Sequence, residues 1–270
     1  MTKKIDRRTF ISKSSKVALS TFVGGSMLPY LYTGTLTDAQ ASEKTDVTAV
    51  TGGNYFNNTI KAVELLGGMN KFVTKGSKVG LLINSSFEKP GTYVMTDVTL
   101  AVLKMCYGSG AKEIVLLNKS SSQEYWNRSS LSKEFQDEIK SLQTAGKTFV
   151  KKEIPQGKTL KEAQIVTEFM ECDIFINMPK TKDHAGTNFT GNMKNMMGVT
   201  SHETNGFFHF GSSKTKTKDY YSDVQFLSQC IADVNLIRKP DLCIADATEL
   251  ITTNGPFGPG KIIKPQQVIA

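Results

Sequence analysis

The chain holds three histidines, His184, His202 and His209, and all fall within one stretch, INMPKTKDHAGTNFTGNMKNMMGVTSHETNGFFHF. Histidine is the side chain that titrates near neutral pH, and it is a good ligand for borderline metals. The same stretch carries Lys180, Lys182 and Lys194, together with an asparagine- and glycine-rich run too polar for a core. Two chemistries suit these residues. His184, His202 and His209 could hold a divalent transition metal, although they stand 18 and then 7 residues apart, with no H-x-H or H-E-x-x-H spacing. Thr190-Gly191, before a helical turn bearing Lys194 and Asn195, suits an anion. Glycine lets the backbone come close, helix-start N–H groups attract negative charge, and lysine adds a cation. No G-x-x-x-x-G-K-[ST] loop is present, so a nucleotide is not indicated. Met193, Met196 and Met197 could act as soft ligands, but their near-helical spacing fits core filling as well.

The elements that must position this segment alternate. Continuous apolar runs at Lys78–Asn84, Glu113–Asn118, Phe149–Ile154, Asp173–Met178 and Asp241–Asp246 predict strands, most of them buried on both faces. Helices are predicted at Ile60–Leu66, Thr92–Tyr107, Ser130–Ala145, Thr159–Cys172 and Asp223–Arg238; Thr159 and Glu162 form a capping-box pattern at the fourth. Strand–helix alternation with apolar strands predicts a single α/β domain built on a mostly parallel sheet flanked by helices. In such sheets ligands bind beyond the carboxyl ends of the strands. Those ends are Asn84, Asn118, Asn177 with Pro179-Lys180, and Asp246, and the fourth strand runs directly into the histidine segment. Asparagine and aspartate also end strands simply because they favour turns. His184, Lys182 and Asp246 are therefore the candidates for catalysis, and Lys180, Thr190, Gly191, Lys194, Asn195 and Asn84 the candidates for binding a small anionic ligand or cofactor.

Compartment is legible at the start of the chain. Arg7-Arg8-Thr9-Phe10-Ile11 with Lys13 is a twin-arginine pair, a weakly apolar stretch runs from Val17 to Leu31, and Ala39-Gln40-Ala41 offers a cleavage site. Residues 1–41 are thus expected to be a signal read by the twin-arginine translocation machinery, with the protein periplasmic or otherwise exported, and 42–56 a linker. The apolar stretch contains Pro29 and is shorter than the roughly 20 apolar residues of a span, so no stable membrane anchor is expected. The segment 1–41 carries six of the 33 Lys/Arg and two of the 25 Asp/Glu, which leaves 27 basic and 23 acidic residues beyond it. The basic run Lys214–Lys218 lacks interleaved aromatics, and nucleic acid is not expected as a partner. The four cysteines, Cys106, Cys172, Cys230 and Cys243, show no C-x-x-C, which excludes a ferredoxin-type iron–sulfur pattern.

Pro179, Lys180, Lys182 and His184, followed by Thr190-Gly191-Asn192-Met193-Lys194-Asn195-Met196-Met197-Gly198, resemble the signature of the DUF362 family. Asn235-Leu236, Lys239-Pro240-Asp241, Asp246 and Asn254-Gly255-Pro256 with Gly258 are similar to its later segment. The resemblance covers roughly residues 57–270. It implies the α/β fold and a site around His184 and Lys194 rather than a particular reaction. The family's Lys-Pro-Asn after the first strand is here Ile83-Asn84-Ser85, and a further strand with an Asp-rich segment is expected to follow beyond Ala270. Some members carry ferredoxin-like cysteine clusters, which this chain lacks. The string from His184 to Lys194 also bears a likeness to the active-site region of nickel-pincer lactate racemases. Three readings stand side by side: an exported enzyme acting on a small anion, a metal- or cofactor-binding protein serving a redox chain, and a partner-binding domain.

Overall fold

A computed structural model describes residues 45–118, 123–211 and 224–270; the twin-arginine segment 1–41 and the Lys214–Lys218 run lie outside the described residues. Strand β1 (Ala49–Thr51) precedes helix α1 (Tyr55–Leu65), where the Asn54 side chain caps the helix by accepting from the Asn57 N–H at 2.9 Å. Strands β2 (Lys78–Ile83) and β3 (Glu113–Leu116) bracket helix α2 (Thr96–Gly108). Short elements follow: α3 (Gln123–Trp126), α4 (Gln136–Ser141), β4 (Gln143–Thr144), β5 (Phe149–Glu153), β6 (Glu162–Val166) and α5 (Thr167–Glu171). Strand β7 (Ile174–Met178) then leads into the hairpin of β8 (Lys182–His184) and β9 (Asn188–Thr190). Helices α6 (Asn192–Asn195), α7 (His202–Phe210) and α8 (Val224–Val234) come next. The chain closes with β10 (Leu242–Cys243), β11 (Ala245–Ala247), β12 (Leu250–Ile251), β13 (Ile262–Ile263) and β14 (Gln267–Ile269).

The main sheet runs in the order β10-β7-β2-β3-β4 with every pair parallel, which confirms the α/β expectation. Its strands are apolar because both faces are covered. On one face Val79, Leu81, Ile83, Ile114, Leu116, Ile176 and Met178 share a core with α1 and α2. On the other, Leu82, Val115, Leu117 and Phe175 share one with β6, α7, α8 and the turn at 196–199. Gly80 is required on that second face: a Cβ there would come within 2.7 Å of Cys172 Sγ and 3.0 Å of Leu117 Cδ1. From β2 the chain passes to β3 on one side and later to β7 on the other. The crevice beyond the ends of β2, β3 and β7 is therefore the point where the sheet's winding reverses, the usual place for a ligand in an open parallel sheet.

Four expectations need correction. Residues 159–172 do not form one helix. The N–H groups of Thr159 and Leu160 donate to the Asp233 carboxylate at 2.7 and 2.8 Å, and Glu162–Val166 pairs antiparallel with β5 as strand β6. The segment 149–154 accordingly belongs to that two-stranded sheet, and the two-residue β4 takes its expected place at the edge of the main one. The helix expected over 130–145 is a 3-10 turn at Ser130–Lys133 followed by α4 and β4. The strand expected at 241–246 divides at Ile244, with β10 in the main sheet and β11 in a second sheet ordered β1-β14-β11. That second sheet takes in part of the 42–56 segment: Val50 pairs with Val268, and Thr48 and Ala270 exchange backbone hydrogen bonds at 2.8 and 3.0 Å. The four cysteines are free, three of them buried, and no helix among the described residues is long and apolar enough to cross a membrane.

Candidate functional site

Strand ends dictate what stands at the winding reversal. The chain leaves β2 through Asn84, Ser86 and Phe87 and leaves β3 through Asn118. These residues line a cavity of about 220 Å³ together with His184, Lys194, Asn195 and His209. Its lip is Pro256 and Phe257, held in place by the loop that docks on β8. The Gly255 N–H donates to Asp183 Oδ2 at 2.8 Å and the Ala185 N–H donates to Gly255 O at 3.1 Å. The approach is so close that a Cβ on Gly255 would overlap the Asp183 carbonyl, at 1.8 Å. Phe87 and Phe257 meet edge to face at 5.2 Å across this mouth.

The floor is a relay of asparagine amides. Asn177 donates from Nδ2 to the Asn192 carbonyl at 2.8 Å. Asn195 donates to Asn177 Oδ1 at 2.7 Å and to the Leu82 carbonyl at 3.0 Å, and Asn84 donates to Asn195 Oδ1 at 3.3 Å. Asn118 donates to the Ile83 carbonyl at 2.6 Å. Because each chain of donors ends on a backbone carbonyl, which can only accept, the direction of every amide is fixed.

Electrostatically the cavity is positive. Among the described residues no acidic side chain lines it, and no carboxylate pairs with Lys194 or Lys182. Burial pushes the Lys194 ammonium down to about 8. Lys182 is fully buried; its Nζ donates to the Thr92 carbonyl at 2.5 Å and lies 4.0 Å from the Phe87 ring centroid. Burial first, and then the charges of Lys194 and Lys180, lower it to about 7. His184 Nδ1 accepts from the Gly186 N–H at 3.0 Å. Burial, then Lys194 and Lys182, push its imidazole down to about 3, so it is neutral near pH 7. With Nδ1 accepting, the ring proton sits on Nε2. His184 can therefore donate a hydrogen bond to an anion or a polarised carbonyl, but its free nitrogen has no lone pair with which to act as a base. Burial, and then Lys194, also hold His209 below its ordinary value.

Of the residues singled out in the sequence, Asn84, His184, Lys194, Asn195 and His209 meet at the cavity. His202 does not: it is exposed at the start of α7. Seven residues of helix separate it from His209 by about 10 Å along the axis, too far for both to bind one ion. Among the described residues no group of three His, Cys, Asp or Glu is placed to hold a metal, and the three histidines do not converge on one point. Asp246 and Lys180, expected at the rim, form a fully buried ion pair at 2.9 Å. Asp246 also accepts from Thr248 N and Oγ1 at 2.8 and 2.6 Å and from the Met95 N–H at 2.6 Å, just ahead of α2. Both carboxylate oxygens are thus engaged, and neither residue lines the cavity. Thr190 and Gly191 do not line the cavity, and the α6 turn they introduce is four residues long, too short to build a helix-start anion site. Ser86, Phe87, Pro256 and Phe257 are additions, brought together from two loops with no shared pattern in sequence.

The family described as a domain of unknown function, DUF362, matches residues 79–270. A thylakoid-associated protein of Synechocystis sp. is 24% identical over 202 residues, covering 72% of this chain and 59% of the relative, so the chain spans less than two thirds of that relative's length. Among solved structures, a protein from Thermotoga maritima is 16% identical with a TM-score of 0.37, covering 75% of this chain and 52% of that one. The lactate racemase apoprotein from Thermoanaerobacterium thermosaccharolyticum is 12% identical with a TM-score of 0.42, covering 83% and 54%.

Proposed function

The chain belongs to the DUF362 family, and from that premise we propose that it binds a small anionic ligand in the cavity at the winding reversal, with Lys194 as the anchor. One observation carries this reading: Lys194, with no carboxylate partner among the described residues, lines a cavity whose described lining holds no acidic side chain. A partly desolvated ammonium gains most from an anion that restores the lost interaction. Neutral His184 adds an Nε2–H donor. Buried Lys182 adds positive field from behind the Phe87 ring, whereas the charge of Lys180 is cancelled by Asp246.

The test is calorimetric titration of the purified chain with phosphate and small carboxylates, repeated on Lys194→Met. Saturable binding lost in the variant is expected; equal affinity in the two proteins would sink the proposal. The pH dependence has a definite sign. Anion affinity is greatest while both ammoniums are protonated, begins to fall as pH rises past about 7, where Lys182 loses its charge, and falls further past about 8 as Lys194 loses its own. Export by the twin-arginine route is a separate proposal, supported by Arg7-Arg8 and the Ala39-Gln40-Ala41 site. Arg7→Lys with Arg8→Lys is expected to leave the uncleaved protein in the cytoplasmic fraction, and normal export of that variant would refute it.

A further inference from the structure

Three lysines gather where β7 gives way to the β8–β9 hairpin and α6, and the chain supplies a carboxylate to one of them. Lys180 Nζ meets Asp246 Oδ1 at 2.9 Å, with both side chains fully buried. Lys182 and Lys194 have no carboxylate partner among the described residues. Lys182 and His184 stand two residues apart on β8, so their side chains leave the same side of the strand, where both are buried. Between them, Asp183 gives its carboxylate to the Gly255 N–H instead. His184 lines the cavity, so the Lys182 ammonium lies on the cavity's side of β8. The Phe87 ring, 4.0 Å from that ammonium at its centroid, belongs to the lining too. A desolvated cation without a counter-charge is costly, and here two share one site, each disfavouring the other.

We infer that the ligand is a small dianion, set against Lys194 and the His184 Nε2–H, with its second charge balanced by the ammonium of Lys182 behind the Phe87 ring. This rests on the anion-binding reading above and specifies the charge of the ligand within it. A monoanion would cancel one ammonium and leave the other unanswered, whereas a dianion leaves the site neutral. The count of two is set by the surrounding groups. Lys180 and Asp246 cancel each other, His184 is neutral near pH 7, and His209 is held below its ordinary value. Charges attract over several ångströms in a poorly hydrated site, so Lys182 acts on the ligand without touching it. A cavity of about 220 Å³ suits a small phosphate monoester or a short dicarboxylate.

The experiment is calorimetry on the purified full-length chain at pH 7, with anions matched in shape and different in charge. Methyl phosphate, whose second ionisation near about 6 leaves it mostly a dianion, is compared with methyl sulfate, and malonate with its monoamide. The dianion of a pair is expected to bind on the order of tenfold tighter. Preference confined to one pair identifies the head group, phosphate or carboxylate, and supports the inference. Lys182→Met keeps Lys194 and is expected to cut the preference to about threefold. At pH 8, in buffers of different ionisation enthalpy, dianion binding is expected to take up protons, because the bound charge favours the protonated form of both lysines, and to take up fewer in Lys182→Met. The ligand comparison and the proton uptake are read on the unaltered protein, so they stand even if that variant fails to fold. Equal affinity within both pairs, with binding still lost in Lys194→Met, overturns the dianion and leaves the anion site. A preference unchanged in Lys182→Met overturns the assignment of the second charge to Lys182. Absence of saturable binding for all four ligands overturns both readings.

Discussion

A lysine ammonium enclosed with one carbonyl oxygen and one aromatic face loses most of the hydration water gives it, and Lys182 is in that position. Its folded value of about 7 lies well below the roughly 10.4 of an unfolded chain, so between those limits the unfolded state holds more protons. Stability therefore rises with pH across that window. Lys182→Met is expected to raise stability at pH 6 by on the order of 1–2 kcal/mol, with the gain shrinking toward pH 10 as the wild-type lysine becomes neutral in the fold. Thermal unfolding at the two pH values checks this, and a variant less stable at pH 6 would show that the charge is accommodated. At this scale the sequence was informative where chemistry and concentration coincided: His184, His209 and Lys194 stood out, and they meet. His202 stood out equally and does not, because helical rise separates residues that spacing alone makes neighbours. Phe87 and Phe257 gave no signal, since two aromatic residues in distant loops carry no mark of their meeting.

Among elements, the misread segment 159–172 shows how a distant side chain overrides a local pattern. Thr159 and Glu162 match a capping box, yet the Thr159 and Leu160 N–H groups are taken by Asp233 on α8. Burial pushes the Asp233 carboxyl up, but the backbone N–H groups of Leu160, Lys158 and Thr159, with Gln229, outweigh it and hold the carboxyl below its ordinary value. Its contribution is thus present above the unfolded value of about 3.9 and is lost as pH falls through the lower folded value. Asp233→Ala is expected to cost about 2–3 kcal/mol at neutral pH, with the gap to wild type narrowing by pH 3. Urea denaturation at both pH values measures it; a gap independent of pH would mean that the lost contacts are not those of the charged carboxylate. The parallel strands, by contrast, were legible because burial on both faces leaves an apolar run that nothing local can disguise. The division at Ile244 was not, since one apolar run can serve two sheets in succession.

Over the whole molecule, Asp246 is the residue through which separate layers are joined. It sits in β11 of the second sheet, receives the Met95 N–H ahead of α2, and pairs with Lys180 just beyond β7 of the main sheet. Asp246→Ala would leave a buried ammonium unpaired and is expected to cost about 3–5 kcal/mol, whereas Lys180→Met with Asp246→Leu regains most of it. Chemical denaturation of the two variants decides the matter: full stability of Asp246→Ala with loss of ligand binding would return Asp246 to the catalytic role its strand-end position first suggested. The asparagine floor has a consequence of another kind, for descent. Each amide can point only the way its neighbour allows, so Asn195 cannot be exchanged without stranding Asn84 and Asn177 together. Lineages that abandon one member are expected to have abandoned the others, and the three positions are inherited as a single character.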